Sequence, residues 1–269
     1  MEQSLWSRIH LQSQTWANTP PMKLNDDLLI LELTADFGTG PSILNAAVIL
    51  DSQAGHTLVD TGMPGMEGAI ETALAEVGVT LKDIRQIIIT HHDLDHIGSL
   101  EAVVKASGAQ VWASARETPF IQGEEWPQKM PPQETVAEML ADPETPPQMR
   151  ARLSLPRVAV KVDRALQGGE VLPLAGGVRV VMTPGHTPGH LSLYLERTKT
   201  LITGDALVSD GGQLHPPRAQ VTPDMAAAGQ SVGSMAALDV QTVLTYHGGV
   251  VGEDANGQLD RVAAGMAES

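Results

Sequence analysis

Short apolar runs, each bounded by glycine, proline or asparagine, recur along the chain and predict many short strands. The run over 83–90 contains three consecutive isoleucines, Ile87, Ile88 and Ile89, which is typical of a buried strand. The same kind of pattern predicts strands over 28–34, 43–50, 57–60, 110–113, 170–174, 178–182, 190–195, 200–203 and 241–245.

Apolar residues at helical spacing follow several of these strands. Over 65–78 they fall at Met66, Ile70 and Leu74, and Gly78 is a suitable helix end. Further helices are predicted over 99–107, 223–238 and 258–266. Each half of the chain has strands, then a strand that ends in polar residues, then a helix. This order predicts an α/β protein with two similar sheets packed face to face and helices outside.

The chain divides into an N-terminal arm over 1–27 and one large domain over 28–269. The arm is predicted to be irregular, and Pro20 and Pro21 close it. Because the arm carries tryptophans, it could pack on a neighbouring subunit, so a homodimer is a possible assembly.

An inserted segment over 114–165 differs from the rest in composition. It is rich in Pro, Met, Gln and Glu, and its only helical patterns are short, over 135–140 and 148–153. A piece of about 50 residues is short for an independent core. We interpret it as a lid or wall over the functional site, with a surface excursion that has no role as the equal alternative.

Composition excludes several classes of protein. The 269 residues carry a formal charge of −15 and no basic stripe, which argues against a nucleic-acid partner. No apolar run is long enough to span a membrane, and the first residues lack the pattern of a secretory signal. The absence of cysteine excludes disulfides and thiolate zinc sites. We therefore expect a cytoplasmic protein whose partner is a small-molecule substrate.

Metal-binding residue types are concentrated where predicted strands end. The strand over 83–90 runs directly into His91, His92, Asp93, Asp95 and His96. Histidine and carboxylate at this density suit a divalent cation, and without one the carboxylates would repel each other. A Pro-Gly turn over 183–190 carries His186 and His190, and two more strands end at Asp205 and His247. Four such clusters predict convergence on one site.

These clusters resemble the motifs of the metallo-β-lactamase superfamily. The resemblance rests on the order and spacing of 60–62, 90–96, 183–190, 204–205 and His247, and it extends over nearly the whole chain from about residue 28. It implies a four-layer αββα sandwich. It also implies one or two metal ions that activate water for hydrolysis.

By position, the resemblance assigns seven ligands to two divalent ions: His91, Asp93 and His186 to the first, Asp95, His96 and His247 to the second, and Asp205 to both. Asp60 would orient a ligand histidine. Asp95 would also position the attacking water and pass a proton toward the leaving group.

Asp93 departs from the family pattern, which has histidine at this position. Two divalent ions, a hydroxide and the family's usual two carboxylates sum to a charge of about +1, and ionised Asp93, in addition to Asp95 and Asp205, lowers this sum to about zero. We expect weaker acidification of water and weaker retention of anionic substrates. Aspartate is also a harder ligand than histidine, so the preference moves from the family's zinc toward manganese or iron.

The remaining histidines are not expected to bind metal. His92 should point away from its neighbours along the strand end, and His190 is interpreted as a structural or pocket residue. Three others have no motif around them and are expected at the surface: His10, His56 and His215.

The predicted activity is hydrolysis of an ester, lactone or thioester by a metal-bound hydroxide. The turn over 185–190 resembles that of acyl-homoserine-lactone hydrolases, although the tyrosine that follows their bridging aspartate is missing after Asp205. Tyr246 is interpreted as a strand residue. A β-lactam hydrolase is the alternative; Asp93, the absent export signal and the absence of an obvious Lys or Arg near Asp205 or His247 argue against it. A non-catalytic metal-binding or sensing protein is the third candidate.

Overall fold

A computed structural model describes residues 20–36, 40–155 and 157–268. Two main β-sheets dominate this part of the chain. The first sheet contains seven strands in sequence order: β1 (Met22–Asn25), β2 (Leu28–Asp36), β3 (Pro41–Ile49), β4 (His56–Val59), β5 (Ile84–Ile89), β6 (Gln110–Ser114) and β7 (Arg164–Leu166). Strands β1 to β4 pair antiparallel, whereas β4 to β7 pair in parallel.

The second sheet contains six of the later strands. Its members are β8 (Val171–Leu172), β9 (Val178–Met182), β10 (Leu191–Leu195), β11 (Thr200–Ile202), β14 (Thr242–Thr245) and β15 (Gly249–Val251). Their spatial order is β15-β14-β11-β10-β9-β8, and β11 and β14 form the parallel pair. A separate hairpin joins β12 (Val208–Asp210) to β13 (Gln213–His215).

Helices connect these strands. They are α1 (Glu67–Glu76), α2 (Leu94–Ile97), α3 (Leu100–Ser107), α4 (Thr118–Ile121), α5 (Gln133–Ala141), α6 (Pro147–Leu153), α7 (Met225–Ala236) and α8 (Ala255–Ala267). In this part of the chain, no helix combines the length and apolarity needed to cross a membrane.

Three hydrophobic clusters hold four layers together. The outer face of the first sheet packs on α1 and α3, and the outer face of the second sheet packs on α7 and α8. The third cluster lies between the two sheets. The isoleucines of β5 show why both faces are apolar: Ile87 and Ile89 belong to the outer cluster, while Ile88 belongs to the inner one. The predicted αββα sandwich is confirmed.

The structure contains short strands that the sequence patterns did not predict. Residues 22–25 of the expected irregular arm form edge strand β1, which pairs with β2. The remainder of the arm, residues 1–19, lies outside the described residues, as does the proposed dimer contact. The strands β7, β12, β13 and β15 were not predicted because three residues are too few to establish an alternating pattern.

Candidate metal centre

Loops from both sheets meet at one edge of the sandwich. Because β4 and β5 are parallel, the loops that follow them open on the same side, with Asp60 in one and residues 90–96 in the other. The second sheet contributes three loops, which follow β9, β11 and β14 and carry His186, Asp205 and His247. The structure brings all seven predicted ligands together at this edge.

One group of side chains corresponds to the predicted first ion. The ring nitrogens of His91 and His186 and a carboxylate oxygen of Asp205 lie within 4.8 Å of one another. Asp93 adjoins them, since its Oδ2 is 3.1 Å from His186 Nε2 and 3.4 Å from His91 Nε2. These four residues therefore surround one position.

A second group lies beside the first. Asp95, His96 and His247 also place one ligand atom each within 4.8 Å of one another. Asp205 lies between the groups: its Oδ2 is 3.4 Å from both His186 Nε2 and His247 Nε2, and its Oδ1 is 3.2 Å from His96 Nε2. This is the geometry that a bridging carboxylate requires.

The donor atoms fit a metal ion. His91 Nε2, His96 Nε2 and Asp205 Oδ1 are buried, and no protein group in the described ranges satisfies them with a hydrogen bond. A buried polar atom without a hydrogen-bond partner is costly, and divalent ions bound by the two ligand groups would satisfy all three atoms. Imidazole nitrogen with carboxylate oxygen is a donor set that zinc, manganese and iron accept.

Burial and neighbouring charges divide the histidines into two kinds. Burial, together with the nearby His96, lowers the pKa of His91 well below its usual value, which leaves a neutral ring able to bind metal. For His247 burial opposes the charged form, but the carboxylates of Asp205 and Asp95 outweigh it and raise its pKa to about 9. His96 likewise has a pKa raised well above the usual value, because Asp60, Asp205 and Asp95 outweigh burial.

Asp60 fixes the orientation of His96. Its Oδ2 is 2.8 Å from His96 Nδ1, and its two oxygens accept hydrogen bonds from the backbone N–H and the hydroxyl of Thr90 at 2.9 and 2.8 Å. A hydrogen bond at Nδ1 leaves Nε2 of His96 turned toward the site. This contact is the one expected of Asp60, at the end of β4.

His190 holds the bridging residue instead of a metal. Its Nδ1 is 2.7 Å from the hydroxyl of Thr183, and its Nε2 accepts a hydrogen bond from the backbone N–H of Asp205 at 3.1 Å. Gly204 permits this contact, because a Cβ there would lie 2.8 Å from His190 Nε2. The structural role interpreted from the sequence agrees with this geometry.

Sequence reasoning missed Glu117, which joins the two ligand loops. Its carboxylate is fully buried; one oxygen contacts His92 Nδ1 and accepts from the His92 backbone N–H at 2.9 Å. The other oxygen accepts from the Thr187 hydroxyl at 2.7 Å and the Gly189 N–H at 2.8 Å. The ring of His92 stacks on Phe120, and His92 belongs to neither ligand group. No local motif marks a glutamate for this role.

Two cations near the centre were also missed. Lys129, in the inserted segment, has its Nζ 2.5 Å from Asp93 Oδ2 and 2.6 Å from His186 Nε2. Arg218 lines a cleft of about 590 Å³ that His247 also lines. No Lys or Arg was obvious near Asp205 or His247 from the sequence, but the structure places Lys129 against Asp93 and His186 and Arg218 in the same cleft as His247. A separate cavity, lined by Asp27, His56 and other residues, opens at the opposite end of β4.

The remaining predictions have mixed outcomes. Tyr246 follows β14, is buried, and donates from its hydroxyl to the backbone oxygen of Asp95 at 2.5 Å, while its ring packs on His96. His215 is exposed, as expected. His56 is instead half-buried, because its Nδ1 accepts from the Asp51 N–H at 3.2 Å at the start of β4. His10 lies outside the described residues.

Comparison with known proteins agrees with this geometry. The sequence model that describes the metallo-beta-lactamase superfamily as a protein family matches residues 39–247. A probable metallo-hydrolase of Bacillus subtilis, YflN, is 31% identical over 210 residues, covering 71% of this chain and 74% of its own. The hydroxyacylglutathione hydrolase GloC of Haemophilus influenzae is 26% identical, covering 65% and 72%.

Solved structures extend the likeness to three dimensions. The metallo-beta-lactamase family protein TTHA1429 of Thermus thermophilus superposes with a TM-score of 0.69 at 25% identity, covering 91% of this chain and 81% of that one. BJP-1, a subclass B3 metallo-beta-lactamase of Bradyrhizobium japonicum, superposes with a TM-score of 0.63 at 23% identity, covering 95% and 94%. The chain belongs to the metallo-β-lactamase superfamily.

Proposed function

We propose that this member of the superfamily is a metal-dependent hydrolase that cleaves the carbonyl of an ester, lactone or thioester. The observation that carries the proposal is the convergence of seven candidate ligand side chains, three of whose buried nitrogen or oxygen atoms have no hydrogen-bond partner among the described residues. Divalent ions held there would activate water and polarise a carbonyl oxygen. The proposal includes two divalent ions, which are zinc, manganese or iron.

The residues of the chain divide the remaining work. Asp60 and His190 hold His96 and Asp205 in place through the hydrogen bonds given above. Asp95 Oδ2 faces the site 3.3 Å from His247 Nε2, and its side chain is 17% exposed. It can therefore accept a proton from the attacking water and deliver it to the leaving group. The cleft beside His247 would receive the substrate.

Two observations support an acyl substrate. One of the relatives, GloC of Haemophilus influenzae, is a hydroxyacylglutathione hydrolase. The turn over 185–190 resembles that of acyl-homoserine-lactone hydrolases. A nuclease is disfavoured by the charge of −15, which would repel a phosphate backbone.

A β-lactam hydrolase is the second candidate. The fold superposes on a subclass B3 metallo-beta-lactamase. Lys129 at the centre and Arg218 in the cleft remove one objection, because either cation could hold a substrate carboxylate.

A hydrolysis screen tests the proposal. Purified chain is stripped of metal, reloaded with manganese, iron(II) or zinc, and assayed on an acyl lactone, an acyl thioester, nitrocefin and a phosphodiester. We expect metal-dependent turnover of the lactone or thioester, at least about 100-fold lower in D95N. Exposed Asp260 provides the control, and D260N should match the wild type. Turnover of nitrocefin alone would select the second candidate, and no turnover of any probe would support a sensing protein.

A further inference from the structure

The inserted segment delivers one cation to the first ligand group. Lys129 lies between α4 and α5, and its side chain is 20% exposed. Its ammonium group is 2.5 Å from Asp93 Oδ2 and 2.6 Å from His186 Nε2. Among the side chains that the structure describes, Lys129 is the only Lys or Arg within ion-pair distance of Asp93, Asp95 or Asp205.

The turn that carries Lys129 is braced on both sides. Trp126 donates from its indole N–H to the backbone oxygen of Pro131 at 2.7 Å, and Met130 N–H donates to Pro127 O at 3.0 Å. The guanidinium of Arg157 donates to the backbone oxygens of residues 123 and 125 and lies 5.1 Å from the centre of the Trp126 ring. The segment thus has a defined conformation over the centre.

The contact between Lys129 and His186 excludes a metal ion from the same ring nitrogen. An imidazole nitrogen that accepts a hydrogen bond uses its only lone pair, and binding a metal ion requires the same lone pair. Nε2 of His186 can therefore face the ammonium of Lys129 or a divalent ion, one at a time. Its Nδ1 is 3.3 Å from the hydroxyl of Thr222 and offers no substitute.

Lys129 does not contact the second ligand group among the described interactions. The described contacts of Lys129 are with Asp93 and His186, whereas the second group consists of Asp95, His96 and His247. An ion can enter the second position without displacing the ammonium. Entry into the first position requires that Lys129 leave.

We propose that Lys129 is an internal cation that competes with the first metal ion for Asp93 and His186. This inference rests on the proposed metal-dependent function. The second position fills first, and the first fills only as the ammonium withdraws and releases the turn over 124–132. The extra carboxylate of Asp93 is thereby neutralised whether or not the first ion is bound.

Metal titration tests this competition without an activity assay. Metal-free wild type and K129M are titrated with zinc by calorimetry against a competing chelator. We expect two unequal steps in the wild type; in K129M the weaker step should tighten at least about tenfold while the tighter step stays unchanged. K129R, which keeps the cation, should behave as the wild type. Lys161 of the same segment has an 81% exposed side chain, so K161M is the matched control.

Hydrogen exchange gives an independent readout. Amides over 124–132 should lose protection in the wild type when the second equivalent of zinc is added, and should show no such metal-dependent loss in K129M. Identical binding steps and exchange in wild type and K129M would overturn this inference alone. A wild-type chain that binds no metal would overturn it together with the proposed function.

Discussion

At the scale of single residues, Glu117 concentrates four contacts on one buried carboxylate. Its oxygens contact the loop after β5 through His92 and the loop after β9 through Thr187 and Gly189. The first loop belongs to one sheet and the second to the other. Glu117 therefore sets the distance between His91 and His186, although it belongs to neither ligand group.

Replacing Glu117 by glutamine should destabilise the protein. The amide can accept on one side only, so its NH₂ would face the backbone N–H of either His92 or Gly189 and leave that donor unsatisfied. We expect the free energy of unfolding in urea to fall by about 1–3 kcal/mol. E101Q at an exposed position of α3 is the matched control, expected within about 0.5 kcal/mol of wild type. Equal urea midpoints of unfolding for E117Q and E101Q would contradict the role of Glu117 in joining the two loops.

His247 should make the stability of the metal-free protein depend on pH. Its pKa is about 9 in the fold, raised above the value of about 6.5 for a free histidine. Protonated His247 therefore stabilises the fold fully below pH 6.5, and this contribution is lost as the pH rises through 9. Its size is about 3 kcal/mol. Urea unfolding of chelator-treated protein should show this decline, and H247Q should show a smaller one. If the free energy of unfolding of H247Q fell with pH as steeply as that of the wild type, the raised pKa would not belong to His247.

At the scale of elements, the site depends on where strands end. The loops after β5, β9, β11 and β14 were predictable because each apolar run is followed within four residues by His or Asp. The contacts made by the inserted segment were not predictable. Lys129 and Glu117 reach the centre through the packing of that segment, and the local sequence around them has no periodic signal. The two main sheets and outer helices followed from periodicity, while the short strands β7, β12, β13 and β15 did not.

The turn after β14 offers a test of this dependence on strand ends. Gly248 has φ +118°, and a Cβ there would overlap the carbonyl oxygen of Ser209. Gly40 has a similar φ of +112° with open space around it. We expect G248A to displace His247 and to weaken zinc binding at least about tenfold in a chelator competition. G40A carries the same backbone strain and should bind zinc as wild type does. Equal zinc affinity in both variants would show that the turn does not position His247.

At the scale of the whole molecule, the centre lies where the two sheets meet. His91 to His96 come from the first sheet, and His186, Asp205 and His247 come from the second. A metal ion bound by this set would join both halves of the sandwich. Binding of ions to the folded state alone would also stabilise it. The central claim is that this junction is a metal-dependent hydrolytic centre.

The most direct measurement of that claim is the initial rate of lactone or thioester hydrolysis during reconstitution. Metal-free protein is titrated with zinc or manganese while bound metal is determined in parallel. We predict a rate that rises in step with metal occupancy, saturates by two equivalents, and returns to the background when a chelator is added. A rate that is independent of bound metal, or metal occupancy without hydrolysis of any acyl substrate, would contradict the account.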